Sequence, residues 1–67
     1  MSRKVWAIYD RKRKVWYGDT VLDVDIDHMK LFNKESTARG LINLHKKHMG
    51  WSNAVMVEVT ISFEIPE

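Results

Sequence analysis

The chain has 67 residues and a mass of 7.9 kDa, with 45% hydrophobic and 30% charged residues, no cysteine and a net charge of +2. That length suits one small domain, for which scaling relations give about 4,400 Å² of folded surface and about 60% burial on folding, so stability will be marginal. Disulfides and cysteine-based metal sites are excluded. Membrane spans and standard secretion are not expected, and a reducing cytoplasm is the natural setting.

Residues 3–18 read as a basic β-hairpin. Apolar-rich stretches at 5–9 and 15–17 flank Asp10, Arg11, Lys12, Arg13 and Lys14, a polar run of hairpin-loop length. With Lys12 and Arg13 at the tip, Tyr9 pairs with Trp16 and Ile8 with Tyr17. Trp6, Ile8, Val15 and Tyr17 then share one side of the sheet, and Val5, Ala7, Tyr9, Trp16 and Gly18 share the other.

Residues 19–32 form an acidic extended segment. Leu22, Val24 and Ile26 alternate with Asp23, Asp25 and Asp27, which predicts a short third strand whose carboxylates line up in water.

A helix is predicted over 33–49. Asn33 is a good N-cap, Glu35 favours the positive end of the helix dipole, and Lys46 and Lys47 favour the negative end. Ala38, Leu41, Ile42, His45 and Met49 recur at three- and four-residue steps, as one buried stripe requires. Gly50 can close the helix in the left-handed conformation, with Trp51 supplying the accompanying apolar contact.

The last element is a strand over 54–65. Val55, Val57, Val59, Ile61, Phe63 and Ile65 alternate with Met56, Glu58, Thr60, Ser62 and Glu64 up to Pro66. The apolar row is expected on the core and the other row mostly in water.

The order β-β-(β)-α-β predicts an α+β two-layer sandwich in which one helix lies on a mainly antiparallel sheet. One helix covers one face. It is expected to bury the 55–65 row with one side of the hairpin, which leaves aromatic residues of the other side without cover.

Charge is blocked along the chain: +5 over residues 1–17, −3 over 18–35, +3 from Arg39, Lys46 and Lys47, and −3 from Glu58, Glu64 and Glu67. Such poles speak of partners and steering more than of fold.

The familiar chemical motifs fail on their own terms. Asp23, Asp25 and Asp27 begin like an EF-hand loop, but the sixth position is His28 where Gly is needed and the twelfth is Lys34 where Glu is needed. His28, His45 and His48 could in number make a zinc site, yet Lys46 and Lys47 would repel the cation. There is no cysteine nucleophile and no glycine-rich phosphate loop, and the serines lie at a terminus, a helix start, a loop and a wet strand face. No catalysis, metal or cofactor is expected.

The hairpin is the informative feature. Arg11, Lys12, Arg13 and Lys14 stand beside Tyr9 and Trp16, a combination that serves either nucleic acid, through phosphates and stacking, or a protein partner, through buried aromatic and Arg anchors. Three Trp, two Tyr and two Phe in 67 residues are more than one small core can hide.

Two resemblances bear on the choice. The stretch Lys30, Leu31, Phe32, Asn33, Lys34, Glu35, Ser36, Thr37 and Ala38, following a hairpin, resembles the strand-to-helix junction of the arm-site DNA-binding domains of tyrosine integrases. That resemblance implies a sheet placed in the major groove, although the acidic segment, with Asp19 to Asp27, would repel phosphate. As a type, a cysteine-free single domain of hairpin, helix and strand is similar to the small accessory proteins of bacteriophages that block host enzymes or defence systems, including anti-CRISPR proteins. This implies inhibition of a larger host protein in the host cytoplasm.

The leading expectation is therefore a non-enzymatic binding protein that docks onto a larger host protein. Tyr9 and Trp16 would anchor it, Arg11, Lys12, Arg13 and Lys14 would steer it, and Asp23, Asp25 and Asp27 would meet a basic region of the same partner. The alternatives are direct nucleic-acid binding and pairing of the uncovered face with a second copy.

Overall fold

The computed structural model describes residues 1–18, 21–48 and 50–65, with His48 described through its backbone alone. Strands β1 (Ser2–Asp10), β2 (Val15–Gly18) and β3 (Val21–Val24) are followed by a short 3-10 turn (Ile26–His28), helix α1 (Glu35–His48) and strand β4 (Ala54–Ser62). The strands form one antiparallel sheet in the order β3-β2-β1-β4, with the helix on one side, so the fold is α+β as expected. The expected end at Pro66 and the helix contact at Met49 lie outside the described residues.

The central pairing is β1 with β4, in register from Ser2 opposite Ser62 to Asp10 opposite Ala54. β4 ends where its partner does, at Ser62 rather than Ile65, although Phe63 still bonds the main chain of Met1. The hairpin pairs Tyr9 with Trp16 as predicted, but β1 and β2 part after two residue pairs. Phe32 enters the gap and exchanges both main-chain hydrogen bonds with Trp6, at 2.7 and 2.9 Å, while Lys30 donates its N–H to the Tyr17 carbonyl. The segment expected simply to lead into the helix therefore widens the sheet.

The core lies between sheet and helix. Ile8, Tyr17, Leu22, Phe32 and Ala54 meet Ala38 and Ile42 of α1 and the buried Trp51, with Trp6, Leu41 and Met56 at the margin. The helical stripe is thus the one the spacing predicted. Trp51 packs edge-on against Tyr17, with centroids 5.3 Å apart, and lies 4.5 Å from the His45 ring. Gly50 has φ of +69°, the left-handed conformation that lets the chain turn back from the helix. Asn33 accepts a hydrogen bond from Arg3 Nη2 at 2.9 Å, and the helix begins two residues later, at Glu35. Among the described residues, no helix is long and apolar enough to cross a membrane.

Two expectations are corrected. The Val55, Val57, Val59 and Ile61 row of β4 does not face the helix. Directly opposed residues share a face, so Met56 opposite Ile8 and Ala54 opposite Asp10 fall on the helical side, while Val55, Val57 and Val59 stand opposite Tyr9, Ala7 and Val5 on the far side. The row that meets the helix is also short. The helix spans about 21 Å and a nine-residue strand about 30 Å, so α1 shelters only the start of β4, where its even-numbered residues are Ala54 and Met56. Glu58, Thr60 and Ser62 continue that row into water, where Glu58 pairs with Lys4 at 3.1 Å.

The second correction concerns the acidic segment. β3 is bulged: Trp16 opposes Val24 and Tyr17 opposes Leu22, so the intervening Asp23 has no opposite residue and Leu22 and Val24 point to opposite faces. The 3-10 turn then leaves Ile26 exposed. Asp23, Asp25 and Asp27 therefore do not line one strand face.

Candidate functional site

The face turned away from the helix is built from the odd-numbered residues of β1 and β4 together with Trp16 and Val24. Val5 and Ala7 are wholly buried yet stand outside the core cluster, because β1 runs inside the sheet and its short side chains sink between longer neighbours. Around them Tyr9, Trp16, Val24, Val55, Val57, Val59 and Ile61 are half-buried. Among the described elements, only the 3-10 turn reaches over this face, at Gly18. A side chain there would come within 2.6 Å of Val24 Cγ2 and 2.9 Å of the His28 carbonyl oxygen, so glycine is what admits the turn.

Tyr9 and Trp16 form the aromatic feature of the face. Their ring centroids are 4.7 Å apart at 50°. Opposed on neighbouring strands, they support each other and present one broad apolar step next to the hairpin tip, with neither ring fully buried.

The tip is ordered by a residue that the sequence places in the polar loop run without marking it as the organiser. Asp10 is buried, and its Oδ1 accepts the main-chain N–H groups of Lys12 and Arg13 at 2.9 and 3.0 Å. Its Oδ2 accepts from Arg13 Nε at 3.1 Å, and Arg13 Nη2 reaches across to the Leu22 carbonyl at 2.8 Å. The Arg13 main-chain N–H, chiefly, holds the Asp10 carboxyl below the usual carboxylate value, prevailing over the opposing effect of burial. An Asp directly before a four-residue loop is the legible signal for such a turn. Lys14 closes the loop with φ of +59° and donates its N–H to the Asp10 carbonyl at 2.8 Å.

The predicted site residues thus divide. Tyr9 and Trp16 are together on the open face, with Arg11, Lys12 and Lys14 exposed at its edge. Arg13 is a clamp between the loop and β3. Asp25 bonds the His28 ring at 2.6 Å, an exposed local contact that lowers the Asp25 pKa chiefly through His28, with the Asp27 main chain contributing, while Asp23 and Asp27 are themselves exposed. His45 lies against Trp51, and the His48 side chain lies outside the described residues. Among the described residues no three His, Asp or Glu gather as metal ligands would.

What the sequence reading missed is the aliphatic extent of the open face. Its signal was the odd-numbered β4 row, assigned to the other side of the sheet. Comparison with known proteins finds no matching family model, no similar curated protein and no similar solved structure, so the face and the tip are what a functional reading rests on.

Proposed function

We propose that this chain is a small non-enzymatic binding protein that docks onto a larger protein through the open sheet face, and inhibits that partner by occupying its surface. The observation that carries the reading is the make-up of the face: a mainly β-branched aliphatic floor, one step of the tilted Tyr9–Trp16 pair and three exposed cations, Arg11, Lys12 and Lys14, at one end. Aromatic anchors surrounded by apolar contacts that exclude water are the common pattern of a protein hot spot. The cations would steer the approach to an acidic rim.

A nucleic-acid strand is less well served. Phosphates call for cations along their path, and the strand residues of this face between Arg3 and the tip are uncharged. Arg3 itself is tied to Asn33.

The test is affinity capture of a partner from lysate with the wild-type chain, the double variant Trp16→Ala with Lys12→Glu, and Lys47→Glu on the helix as a control. The expected result is one protein recovered equally by wild type and control and reduced at least about tenfold with the double variant, whose far-UV circular dichroism is unchanged. Equal recovery by the double variant sinks the docking face. A mixed oligonucleotide retarded at low salt and released at high salt, with loss of retardation in the double variant, would replace the protein partner by nucleic acid.

A further inference from the structure

We propose that β4 pairs, edge to edge and antiparallel, with β4 of a second copy, joining two four-stranded sheets into one. This pairing uses the strand's edge and leaves the open face free, so it stands independently of the docking reading.

β4 ends the strand order, so one of its edges has no neighbour among the described strands. Which main-chain groups face that edge follows from the hydrogen bonds. Trp6 spends both of its main-chain groups on Phe32, so Glu58, which opposes it, is not bonded to β1. At the two ends of the ladder, Arg11 donates to the Asn53 carbonyl and Phe63 to the Met1 carbonyl. The odd-numbered residues of β4 therefore bond β1, and Ala54, Met56, Glu58, Thr60 and Ser62 turn their N–H and C=O groups outward.

Natural edges are blunted by Lys, Pro, bulges or brevity. Ala54–Ser62 has nine residues, contains neither Lys nor Pro, pairs with β1 without a break in register and carries Glu58 as its single charge. Beyond it Phe63 and Ile65 are 42% and 68% exposed. The whole chain exposes 5112 Å², about 700 Å² more than a compact monomer of this mass, which is near the roughly 800 Å² that each partner brings to a standard interface. Its radius of gyration of 12.9 Å likewise exceeds the ~11 Å of a compact chain of this length.

The register follows from charge and apolar matching. A two-fold axis at Glu58 would set the two Glu58 carboxylates directly opposite each other, which is unfavourable. An axis at Val59 sets Glu58 opposite Thr60 of the second copy, Val57 opposite Ile61 and Val55 opposite Phe63, with Val59 facing itself. In that register the outward-facing groups of Glu58 and Thr60, and of Met56 and Ser62, meet as hydrogen-bonded pairs. The apolar row of one copy continues into that of the other, and the exposed Phe63 gains cover.

The absence of cysteine makes the test direct. In Val59→Cys the two thiols meet across the axis in a closely spaced, non-hydrogen-bonded pair, a separation that a disulfide spans. Under mild oxidation it should give mainly covalent dimer, whereas Val57→Cys should give several-fold less. Sedimentation of the wild type should show a mass of twice 7.9 kDa at high concentration. Thr60→Pro removes only an outward-facing N–H, so it should keep the circular dichroism spectrum while shifting the dimer to monomer. Thr60→Glu should weaken association about tenfold or more by facing Glu58, and Thr60→Lys should strengthen it. A wild type that stays monomeric at hundreds of micromolar overturns the pairing, as does a dimer indifferent to Thr60→Pro. Cross-linking at Val57 as efficient as at Val59, or a dimer that treats Thr60→Glu and Thr60→Lys alike, overturns the register.

Discussion

The two faces of this sheet differ in what their apolar residues are for. On the helical side, Tyr17, Phe32 and Trp51 interlock with Ile8 and with Ala38 and Ile42, and each of these large rings is less than about a tenth exposed. On the other side, rings and β-branched residues lie half-covered with no helix above them. A core pays for the ordering of its chain; the open face mostly does not. Its apolar content is surplus to the fold of the single chain, which is why we read it as a surface for a partner.

Two tryptophans measure that difference. Trp51→Ala should cost about 3–5 kcal/mol, enough to unfold a domain of this size at room temperature. Trp16→Ala removes a half-buried ring and its tilted contact with Tyr9, and should cost about 1–2 kcal/mol while leaving the fold intact. Urea denaturation followed by circular dichroism compares them. Equal losses would mean that the open face is as much core as the covered one.

Gly18 marks the place where the open face is closed. A methyl group there meets both the Val24 side chain and a main-chain oxygen, and the second cannot rotate away. Gly18→Ala should destabilise by about 1–3 kcal/mol. Adding Val24→Ala relieves the contact with Cγ2 but not the one with His28, so the double variant should recover only part of the loss. Full recovery would show that the turn above Gly18 moves freely and that the face is wider than described.

Much of this architecture was legible in the sequence, and the failures share one cause. The loop tip at Lys12 and Arg13 placed Tyr9 opposite Trp16, though not Ile8 opposite Tyr17, the 3.6-residue period gave the helical stripe Ala38, Leu41, Ile42 and His45, and capping rules gave the left-handed Gly50. Each depends on residues close in the chain. The side of the sheet that the helix would choose is a tertiary matter: Val55, Val57 and Val59 look like a core row because β-branched alternation is the same on either face. The acidic row failed because a single unopposed residue, Asp23, reverses alternation, and no local signal separates a bulge from a straight strand. Of the candidate site, Tyr9 and Trp16 could be placed from the hairpin alone, but the engagement of Arg13 depended on the carbonyl of Leu22, nine residues away.

The hairpin tip gives two smaller effects, both local. Because the carboxyl of Asp10 titrates lower in the folded chain than in the unfolded one, it stabilises the fold fully above the unfolded value near 4, and that contribution is lost as pH falls through the lower folded value. Asp10→Asn should cost about 1–2 kcal/mol at pH 7, and its stability should fall less steeply than that of the wild type as pH drops below about 4. The Asp25 carboxyl is also lowered, by its hydrogen bond with His28, so some acid sensitivity should persist in the variant. Parallel pH profiles would remove Asp10 as the organiser of the loop.

Lys14 offers the opposite sign. Its φ of +59° is a conformation that an L side chain adopts at a cost of about 1 kcal/mol and glycine adopts freely. Lys14→Gly relieves that strain but also loosens the unfolded chain, so the net gain should be a few tenths of a kcal/mol to about 1 kcal/mol, or a rise of a few degrees in Tm. Lys12→Gly is the fitting comparison, since it removes the same charge from the same exposed loop at a position without positive φ. It should lower stability by a similar amount. A gain from both would trace to relief of charge crowding among Arg11, Lys12, Arg13 and Lys14; a gain from Lys14 alone ties it to backbone geometry, and leaves the cations free to serve the surface beside them.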